Sequence, residues 1–439
     1  MNNYRLLMVL LFVLLCSIEE ISEANDNVVL GVEEMFRLAD ENSKKLQPFK
    51  RGIEESEAGI RLANANKLPD INLSLSFSYL GDGFTTARDF GDYQTAPIPH
   101  FGNNFSLEAK QVVYSGGAIS GGVEIAELKR EMASSQYESA QNSVRFMVIG
   151  NYLDLYKYRN LRIVYANHIE QTKKVIKEME AKEREGVVLK NDITRYELLL
   201  SNLELTLTQI ENGISILNRN LTSTLGLPEK TDIIPDDKIL TETIPSRDAC
   251  YWQESATLHS PTLRSATIGI QMSKTEEKIV SSERLPHIAL IAGYQMDGPI
   301  TIEVPPINRN FNYWYVGVGI SYNLSSLYKN NKARNRSKIA TYQAEEEYAS
   351  LREEISLAIN ADYTKYREAY AELERQNKNV ELANENYRVI YNRYTNDIAL
   401  LTDMLDATNA KLQAEQELVN AQINIIYYYY KLQYISGLL

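Results

Sequence analysis

The sequence predicts an α+β membrane protein in which one unit of long helices and short strands is used twice. Three observations support this fold class. All twelve prolines of the 439-residue chain lie within residues 48–99, 228–261 and 286–306, which leaves two long stretches without proline. Short motifs recur in the same order, with an offset between 211 and 217 residues. Segments of about ten residues alternate apolar and polar side chains, as the strands of membrane barrels do.

Residues 1–24 are predicted to be a secretory signal peptide. Leu6–Leu15 is the only strongly apolar run in the chain, and its ten residues fall short of the roughly 20 that a membrane helix needs. Lipidation at Cys16 is the alternative, although a leucine precedes this cysteine where a small residue is expected. The other cysteine is Cys250, so removal of the signal peptide would leave no internal disulfide.

Composition argues against several classes of function. The net charge of −12 argues against a nucleic-acid-binding protein, since such proteins carry basic surfaces. The four histidines are scattered without the spacing of a metal site, and no catalytic Ser/His/Asp or Cys/His motif stands out. The sequence therefore predicts no enzyme activity, no cofactor and no metal.

The two copies are predicted at residues 25–226 and 251–439, joined by a proline-bearing linker at 227–250. The motif Lys67–Ile71 (KLPDI) is similar to Arg284–Ile288 (RLPHI), at an offset of 217. Near the ends of the two copies a Leu-Gly pair matches a Ser-Gly pair at an offset of 211. An offset that drifts by only six residues along the whole repeat indicates a tandem duplication.

Each copy is predicted to contain a first helix, two strands, a very long helix, a turn and a last helix. The first helices are expected at about residues 31–67 and 251–283 and end at the Leu-Pro motif. The long helices show apolar residues at alternating steps of three and four, the seam of a coiled coil. The predicted strands are residues 70–81, 104–114, 287–296 and 312–323, and the predicted long helices are residues 119–185, 191–225, 332–395 and 398–436.

One face of each alternating strand is apolar and is predicted to contact lipid. A half-buried sheet of a water-soluble protein is the competing interpretation. Four strands cannot close a membrane barrel, because the smallest have eight and an open edge is not tolerated in lipid. Two copies of the chain would give eight strands and three would give twelve. The strand pattern alone does not determine the number of copies. The predicted lipid-facing side chains are Leu73, Leu75, Phe77, Trp314, Val316 and Val318.

Five motifs follow one another in an order that resembles one known family. They are Leu30–Glu34 (LGVEE), Leu68–Ile71 (LPDI), Val113–Gly117 (VYSGG), Tyr394–Asp397 (YTND) and Asp403–Thr408 (DMLDAT). On these motifs the chain resembles a TolC-type outer membrane efflux protein over essentially all of the mature sequence.

The resemblance implies a location in the outer membrane of a Gram-negative envelope, with an extension into the periplasm. It implies a homotrimer whose twelve strands form one β-barrel in lipid, continued by a periplasmic α-helical coiled-coil barrel. Such a protein is a passive exit duct. It is expected to dock a periplasmic adaptor and, through it, an inner-membrane pump of the resistance-nodulation-division or ATP-driven type.

The resemblance also suggests a pore constriction at Asp403 and Asp406. The two residues are three apart on a predicted helix and therefore share a face. In a trimer they would place six carboxyl groups around one axis and attract cations. The alternative is a role at the start of the helix, where carboxylates interact favourably with the helix dipole.

A second set of candidates flanks the two helix-to-helix turns. Tyr394, Asp192 and Asn191 are expected to form a contact network there, as matching residues of the family do between neighbouring coils. The alternative is plain packing, because Tyr394 is also a seam residue of the predicted coiled coil. Gly186 and Asp397 are expected to occupy the two turns. The best-known member of the family has an arginine in the second turn where this chain has Ala399, so the charged part of that network is missing from the sequence.

Two other classes of protein share some of these sequence features. A periplasmic adaptor also has a long helical hairpin, but it would have a single hairpin with compact β-domains on either side. A structural coiled-coil protein of the envelope would lack the alternating strands and the two proline-rich interruptions.

Overall fold

The computed structural model describes residues 27–241, 244–245, 247–303 and 305–439. The predicted signal peptide and Cys16 lie outside these residues. The elements in chain order are β1 (Asn27–Leu30), α1 (Val32–Asn42), α2 (Gln47–Ala65), β2 (Asp70–Tyr79), β3 (Gly83–Thr85), β4 (Gln94–Ala96), β5 (Phe101–Tyr114), α3 (Ala118–Arg184), α4 (Lys190–Leu225), β6 (Asp232–Pro235), α5 (Lys238–Thr241), α6 (Ala249–His259), α7 (Pro261–Ser282), β7 (His287–Gly298), β8 (Phe311–Ser321), α8 (Ser326–Thr395) and α9 (Leu401–Ser436).

Four strands form one antiparallel sheet in the order β2-β5-β7-β8. The register aligns Leu73 with Leu107, Leu107 with Tyr294, and Tyr294 with Trp314, so these side chains share one face. Because side chains alternate along a strand, all six predicted lipid-facing residues lie on this face, and all six are exposed.

The opposite face of the same sheet is polar. The next row of the register aligns Ser74 with Ser106, Ser106 with Gln295, and Gln295 with Tyr313. The hydroxyl of Tyr313 donates a hydrogen bond to the side-chain carbonyl of Gln295. The sheet is therefore amphipathic, with one face suited to lipid and one suited to water.

The outer strands of the sheet are β2 and β8. Within the described residues, each of these two strands pairs on one side only. The strands β3 and β4 form a separate two-stranded ribbon in the loop that joins β2 to β5. Among the described helices, none is long and apolar enough to cross a membrane.

The compact units of the chain do not coincide with the two repeats. Among the described residues, one unit comprises those within 27–48, 137–261 and 352–439, and the other comprises those within 49–136 and 262–351. Each unit takes segments from both repeats. The duplication therefore describes the order of elements along the chain, whereas packing joins corresponding segments of the two copies.

The prediction of one continuous first helix in each copy is wrong, because the structure has two helices there. The helix α1 ends before Ser43 and α6 ends before Ser260, and both serines adopt extended backbone with ψ near 118° and 116°. In the second copy Pro261 follows the break, and a residue before proline avoids helical backbone.

The break brings the C-terminal glycine of each last helix close to the end of each first helix. A Cβ atom added to Gly226 would lie 2.7 Å from Cβ of Asn42, and one added to Gly437 would lie 2.5 Å from the carbonyl oxygen of His259. Both glycines have left-handed backbone, with φ of 70° and 75°. Close packing and backbone conformation thus both require glycine here.

The segment predicted as a linker contains regular structure. Its strand β6 pairs in parallel with β1, with Val28 opposite Ile233. The buried hydroxyl of Tyr152, on α3, donates to the carbonyl oxygen of Leu30 at 2.6 Å and accepts from the backbone N–H of Asp236 at 2.8 Å. The side chain of Tyr152 therefore links β1 and the segment between the repeats to the long helix α3 through hydrogen bonds.

The ends of the long helices differ from the prediction at two places. The helix α8 begins at Ser326, six residues before the predicted start at 332, because Asn323 forms the turn that initiates it. The helix α9 begins at Leu401 rather than at 398, because the turn around Asp397 takes up the intervening residues.

We predict that Tyr152→Phe lowers the free energy of unfolding by about 1–3 kcal/mol, because a buried donor and acceptor lose their common partner. Guanidinium-induced unfolding in detergent measures this change. Tyr158→Phe is the matched control, since the hydroxyl of Tyr158 has no protein hydrogen bond in the described chain. Equal stability of the two variants would contradict the assigned role of Tyr152.

Candidate functional site

Two helix-to-helix turns, residues 185–189 and 396–400, form the candidate site and are called the tip turns. In the first tip turn the N–H of Val187 donates to the carbonyl oxygen of Lys182 at 3.0 Å. In the second, the N–H of Ile398 donates to the carbonyl oxygen of Arg393 at 2.8 Å. These bonds, at an offset of 211, close the same C-terminal motif in both copies.

The residue at the centre of this motif has left-handed backbone in both tip turns. Gly186 has a φ of 78° and Asp397 has a φ of 60°. Glycine adopts this conformation freely, and aspartate is one of the few other residues that visit it. The sequence predicted both residues for the turns, and the structure gives them equivalent conformations.

Lys182, near the end of α3, contacts the second tip turn. Its Nζ lies 2.5 Å from Oδ1 of Asp397 and donates to the carbonyl oxygens of Thr395 at 3.1 Å and Tyr394 at 3.3 Å. The same amine lies 5.5 Å from the centre of the Tyr394 ring. A cation here satisfies the free carbonyl groups at the end of α8 and interacts favourably with the helix dipole.

Lys182 was not predicted from the sequence, because the family resemblance points to a charged residue in the second turn itself, where this chain has Ala399. The charged group that contacts the second tip turn is instead the amine of Lys182, which lies in the first copy, 215 residues before Asp397. The available signal was weak: an aspartate at a position that favours glycine suggests that a partner of opposite charge stabilises it.

Tyr394 is half-buried in an apolar cluster that also contains Tyr387, Tyr391 and Met404. Burial raises the pKa of Tyr394, and the nearby carboxylates of Asp192 and Asp397 raise it further. Asp192 therefore lies close enough to Tyr394 for an electrostatic interaction.

No hydrogen bond joins Tyr394 to Asp192 in the portion of the chain that the structure describes. Asn191 is exposed at the start of α4. A hydrogen-bonded network of these three residues stays a prediction for contacts between neighbouring coils.

A contact that the sequence did not suggest lies one turn before Tyr394. The hydroxyl of Tyr391 lies 2.9 Å and 3.0 Å from the two carboxylate oxygens of Glu178, on α3. Burial, followed by this hydrogen bond to a carboxylate, raises the pKa of Tyr391 to about 12. The tyrosine is therefore a neutral donor at physiological pH, and it links α8 to α3 beside the tip turns.

Asp403 and Asp406 are both exposed in the first two turns of α9. One carboxylate oxygen of Asp403 accepts the backbone N–H of Leu400 at 3.2 Å. This contact satisfies one of the free donors at the start of the helix, as the alternative interpretation of Asp403 expects. Asp406 has no hydrogen bond or ion pair in the described chain, so its carboxylate is available to solvent and ions.

A buried polar contact lies further along α3 and α9. His168 is almost fully buried, and its Nε2 lies 2.9 Å from Oε2 of Glu415. Among the described residues, no group of His, Cys, Asp and Glu is arranged to hold a metal ion. The contact with Glu415 links α3 to α9 through a buried imidazole.

Comparison with protein families finds one model, described as outer membrane efflux protein, that matches residues 36–227 and 252–437. The two matched segments correspond to the two copies of the repeat. No curated protein sequence matches the chain significantly.

Solved structures similar to this chain are outer-membrane proteins. VceC from Vibrio cholerae matches with a TM-score of 0.76 and 16% identity, over 92% of this chain and 96% of that one. The open state of the MtrE outer membrane channel from Neisseria gonorrhoeae matches with a TM-score of 0.72 and 15% identity, over 95% of this chain and 96% of that one. The CmeC outer membrane channel from Campylobacter jejuni matches with a TM-score of 0.70 and 14% identity, over 95% and 90% of the two chains. At these identities the likeness establishes the fold.

We predict that Lys182→Gln loosens the second tip turn, because the end of α8 loses its cationic partner. The loss of a helix-terminus charge contact of about 1 kcal/mol corresponds to a roughly fivefold faster amide hydrogen exchange at residues 394–398. Mass spectrometry of peptides from this turn measures the rate. Lys190→Gln, an exposed lysine beside the first tip turn, is the control and should leave the rate unchanged.

Proposed function

The chain belongs to the outer membrane efflux protein family, and from this premise we propose that it is the exit duct of a tripartite export system. It conducts cargo passively from a periplasmic adaptor and an inner-membrane pump to the outside of the cell. The observation that carries this proposal is the amphipathic four-stranded sheet, with an exposed apolar face and two outer strands that each pair on one side. Nothing in the sequence resembles a phosphate-binding loop, so the energy for transport comes from the pump.

Several copies of the chain complete the barrel. An unpaired strand edge in lipid leaves backbone groups without hydrogen bonds, which costs several kcal/mol per group. The strands of the sheet alternate in direction, so β2 and β8 run in opposite directions and β8 of one copy can pair antiparallel with β2 of the next. Three copies close twelve strands, the arrangement that the family resemblance supports. The polar face, with Ser74 and Gln295, then lines the aqueous interior.

The tip turns are the surface that docks the adaptor. Each presents two exposed aliphatic side chains at equivalent positions: Val187 and Leu189 are 56% and 71% exposed, and Ile398 and Leu400 are 66% and 70% exposed. In the part of the chain that the structure describes, these aliphatic groups stay largely exposed, and their burial against another protein is favourable.

Docking is tested with Leu189→Ser combined with Leu400→Ser. Burying a leucine side chain contributes about 1.5–3 kcal/mol, so we predict at least a roughly tenfold weaker affinity for the periplasmic portion of the adaptor that co-purifies with the protein. Surface plasmon resonance measures the affinity. Leu205→Ser with Leu382→Ser, two leucines of similar exposure within long helices, is the control. Unchanged affinity of the tip variant would argue against this surface.

Asp403 and Asp406 form the constriction of the duct in this proposal. Three copies place six carboxylates around one axis, which attracts polyvalent cations and resists anions. The exposure of both side chains supports this role, and the contact of Asp403 with Leu400 is compatible with it because a second carboxylate oxygen stays available.

We predict that the protein conducts in planar bilayers and that polyvalent cations block the current. Asp403→Ala with Asp406→Ala should weaken this block, because the carboxylates that bind the cation are removed. Asp403→Asn with Asp406→Asn separates charge from helix capping, since asparagine still accepts the N–H of Leu400. Weaker block in both double variants supports the carboxylate ring. Weaker block in the alanine variant alone would assign the effect to helix capping.

A further inference from the structure

Exposed apolar side chains continue along the chain beyond the end of β8. Trp314, Val316, Val318 and Ile320 are exposed on the apolar face of the sheet, and Tyr322 and Leu324, which follow the strand, are exposed as well. Tyrosine at the end of an apolar membrane-facing surface is typical of the boundary between hydrocarbon and headgroups. The start of α8 therefore lies at the level where lipid headgroups would be found.

The first turns of α8 are strongly basic. Within thirteen residues after its start at Ser326 the helix carries five cationic side chains, all exposed, and no acidic one. They are Lys329, Lys332, Arg334, Arg336 and Lys338. A basic segment that directly follows an apolar membrane-facing surface is suited to anionic headgroups, because long cationic side chains reach the phosphates while their stems stay against apolar groups.

One member of this basic segment lines a cavity with residues of α7. The cavity has a volume of about 430 Å³, and its walls include Arg334, Lys274, Lys278, Glu277 and Leu285. Three of these side chains are cationic and one is acidic. The volume is sufficient for a headgroup phosphate with its attached alcohol, and the leucine provides an apolar wall.

Among the described residues, one of the three cations has a close ion pair, a second has a longer one and the third has none. Lys274 is paired, with its Nζ 2.9 Å from Oε1 of Glu345. Lys278 is 3.8 Å from Oε1 of Glu124, an oxygen that already accepts the hydroxyl of Thr275 at 3.0 Å. Arg334 forms no ion pair with any residue that the structure describes.

We infer that this cavity binds the phosphate of an anionic phospholipid. The planar guanidinium of Arg334 matches two phosphate oxygens at once, and Lys278 adds a second positive charge. Glu277 can accept hydrogen bonds from headgroup hydroxyls, and the net positive charge of the cavity lining favours a lipid of net negative charge over a zwitterionic one. The acyl chains then follow Leu285 towards the apolar face of the sheet.

The inference rests on the proposed crossing of the membrane by the sheet. A free inorganic anion shares the phosphate chemistry, and an exposed helix start without any ligand is the plainer interpretation of the basic residues. Only a phospholipid would use the cations and the neighbouring apolar surface together. Selectivity between lipids and competition by free phosphate therefore separate the three cases.

The test measures retention of lipid by the full mature protein in neutral detergent, with native mass spectrometry as the readout. Phosphatidylglycerol, phosphatidylcholine and inorganic phosphate are the probes. We expect phosphatidylglycerol to bind roughly tenfold or more tightly than phosphatidylcholine. Lys278→Gln with Arg334→Gln should abolish this preference, and Lys278→Arg with Arg334→Lys should retain it. Lys365→Gln with Lys378→Gln, two exposed lysines further along α8, is the matched control and should also retain it.

Three results would overturn the inference: equal retention of the two lipids, an unchanged preference in the glutamine double variant, or displacement of phosphatidylglycerol by millimolar inorganic phosphate. Lys278→Gln alone, at an exposed position, provides a variant that folds if the double variant does not. Conductance of the same proteins in planar bilayers is recorded separately. A protein that conducts without a lipid preference contradicts this inference alone, and one that holds phosphatidylglycerol without conducting contradicts the proposed duct alone.

Discussion

A single register across four strands is the constraint on which the rest of this structure depends. Because side chains alternate along a strand, a slip of one residue in any pair would move its apolar residues to the polar face. The alignment of Leu73, Leu107, Tyr294 and Trp314 in one row shows that all three pairings agree. From this agreement follow the exposed apolar surface, the polar surface behind it and the proposed pairing of β2 with β8 of another copy. The role proposed for the basic residues at the start of α8 depends on the same surface, because this helix begins shortly after the exposed apolar row ends.

The structures of the two copies match most closely where the backbone conformation is most restricted. The C-terminal turns of α4 and α9 place Gly226 and Gly437 in the left-handed conformation, and both glycines pack against the end of a first helix. The tip turns repeat their hydrogen bonds in the same way, although one has Gly186 and the other Asp397. At this point the copies differ in chemistry. The aspartate gains Lys182 as a partner, and the two halves of the chain become linked by a contact that neither could form alone.

The segment between the repeats is a structural part of the fold. The strand β6 pairs with the N-terminal strand, and Arg159 on α3 contacts the carboxylate of Asp232 and the carbonyl oxygen of Ile233. Tyr152 joins both strands to the same helix through one buried hydroxyl. These contacts lie in one compact unit with the tip turns, and both depend on side chains that α3 presents to segments distant in sequence.

The sequence by itself determined the features that arise from local periodicity. Gly186 and Asp397 were predicted in the two turns from the family resemblance, whereas alternation identified the apolar row that includes Leu73 and Val318, and the absence of proline and glycine identified α8. These signals are readable because strand and helix periods are properties of neighbouring residues. Tertiary structure alone decided which distant residues meet: the pairing of β1 with β6, the contact of Tyr391 with Glu178, the amine of Lys182 at the end of α8, and the cavity beside Arg334. Such contacts join side chains from elements far apart in the chain, and no periodicity specifies which charged residue of one helix will face which turn of another.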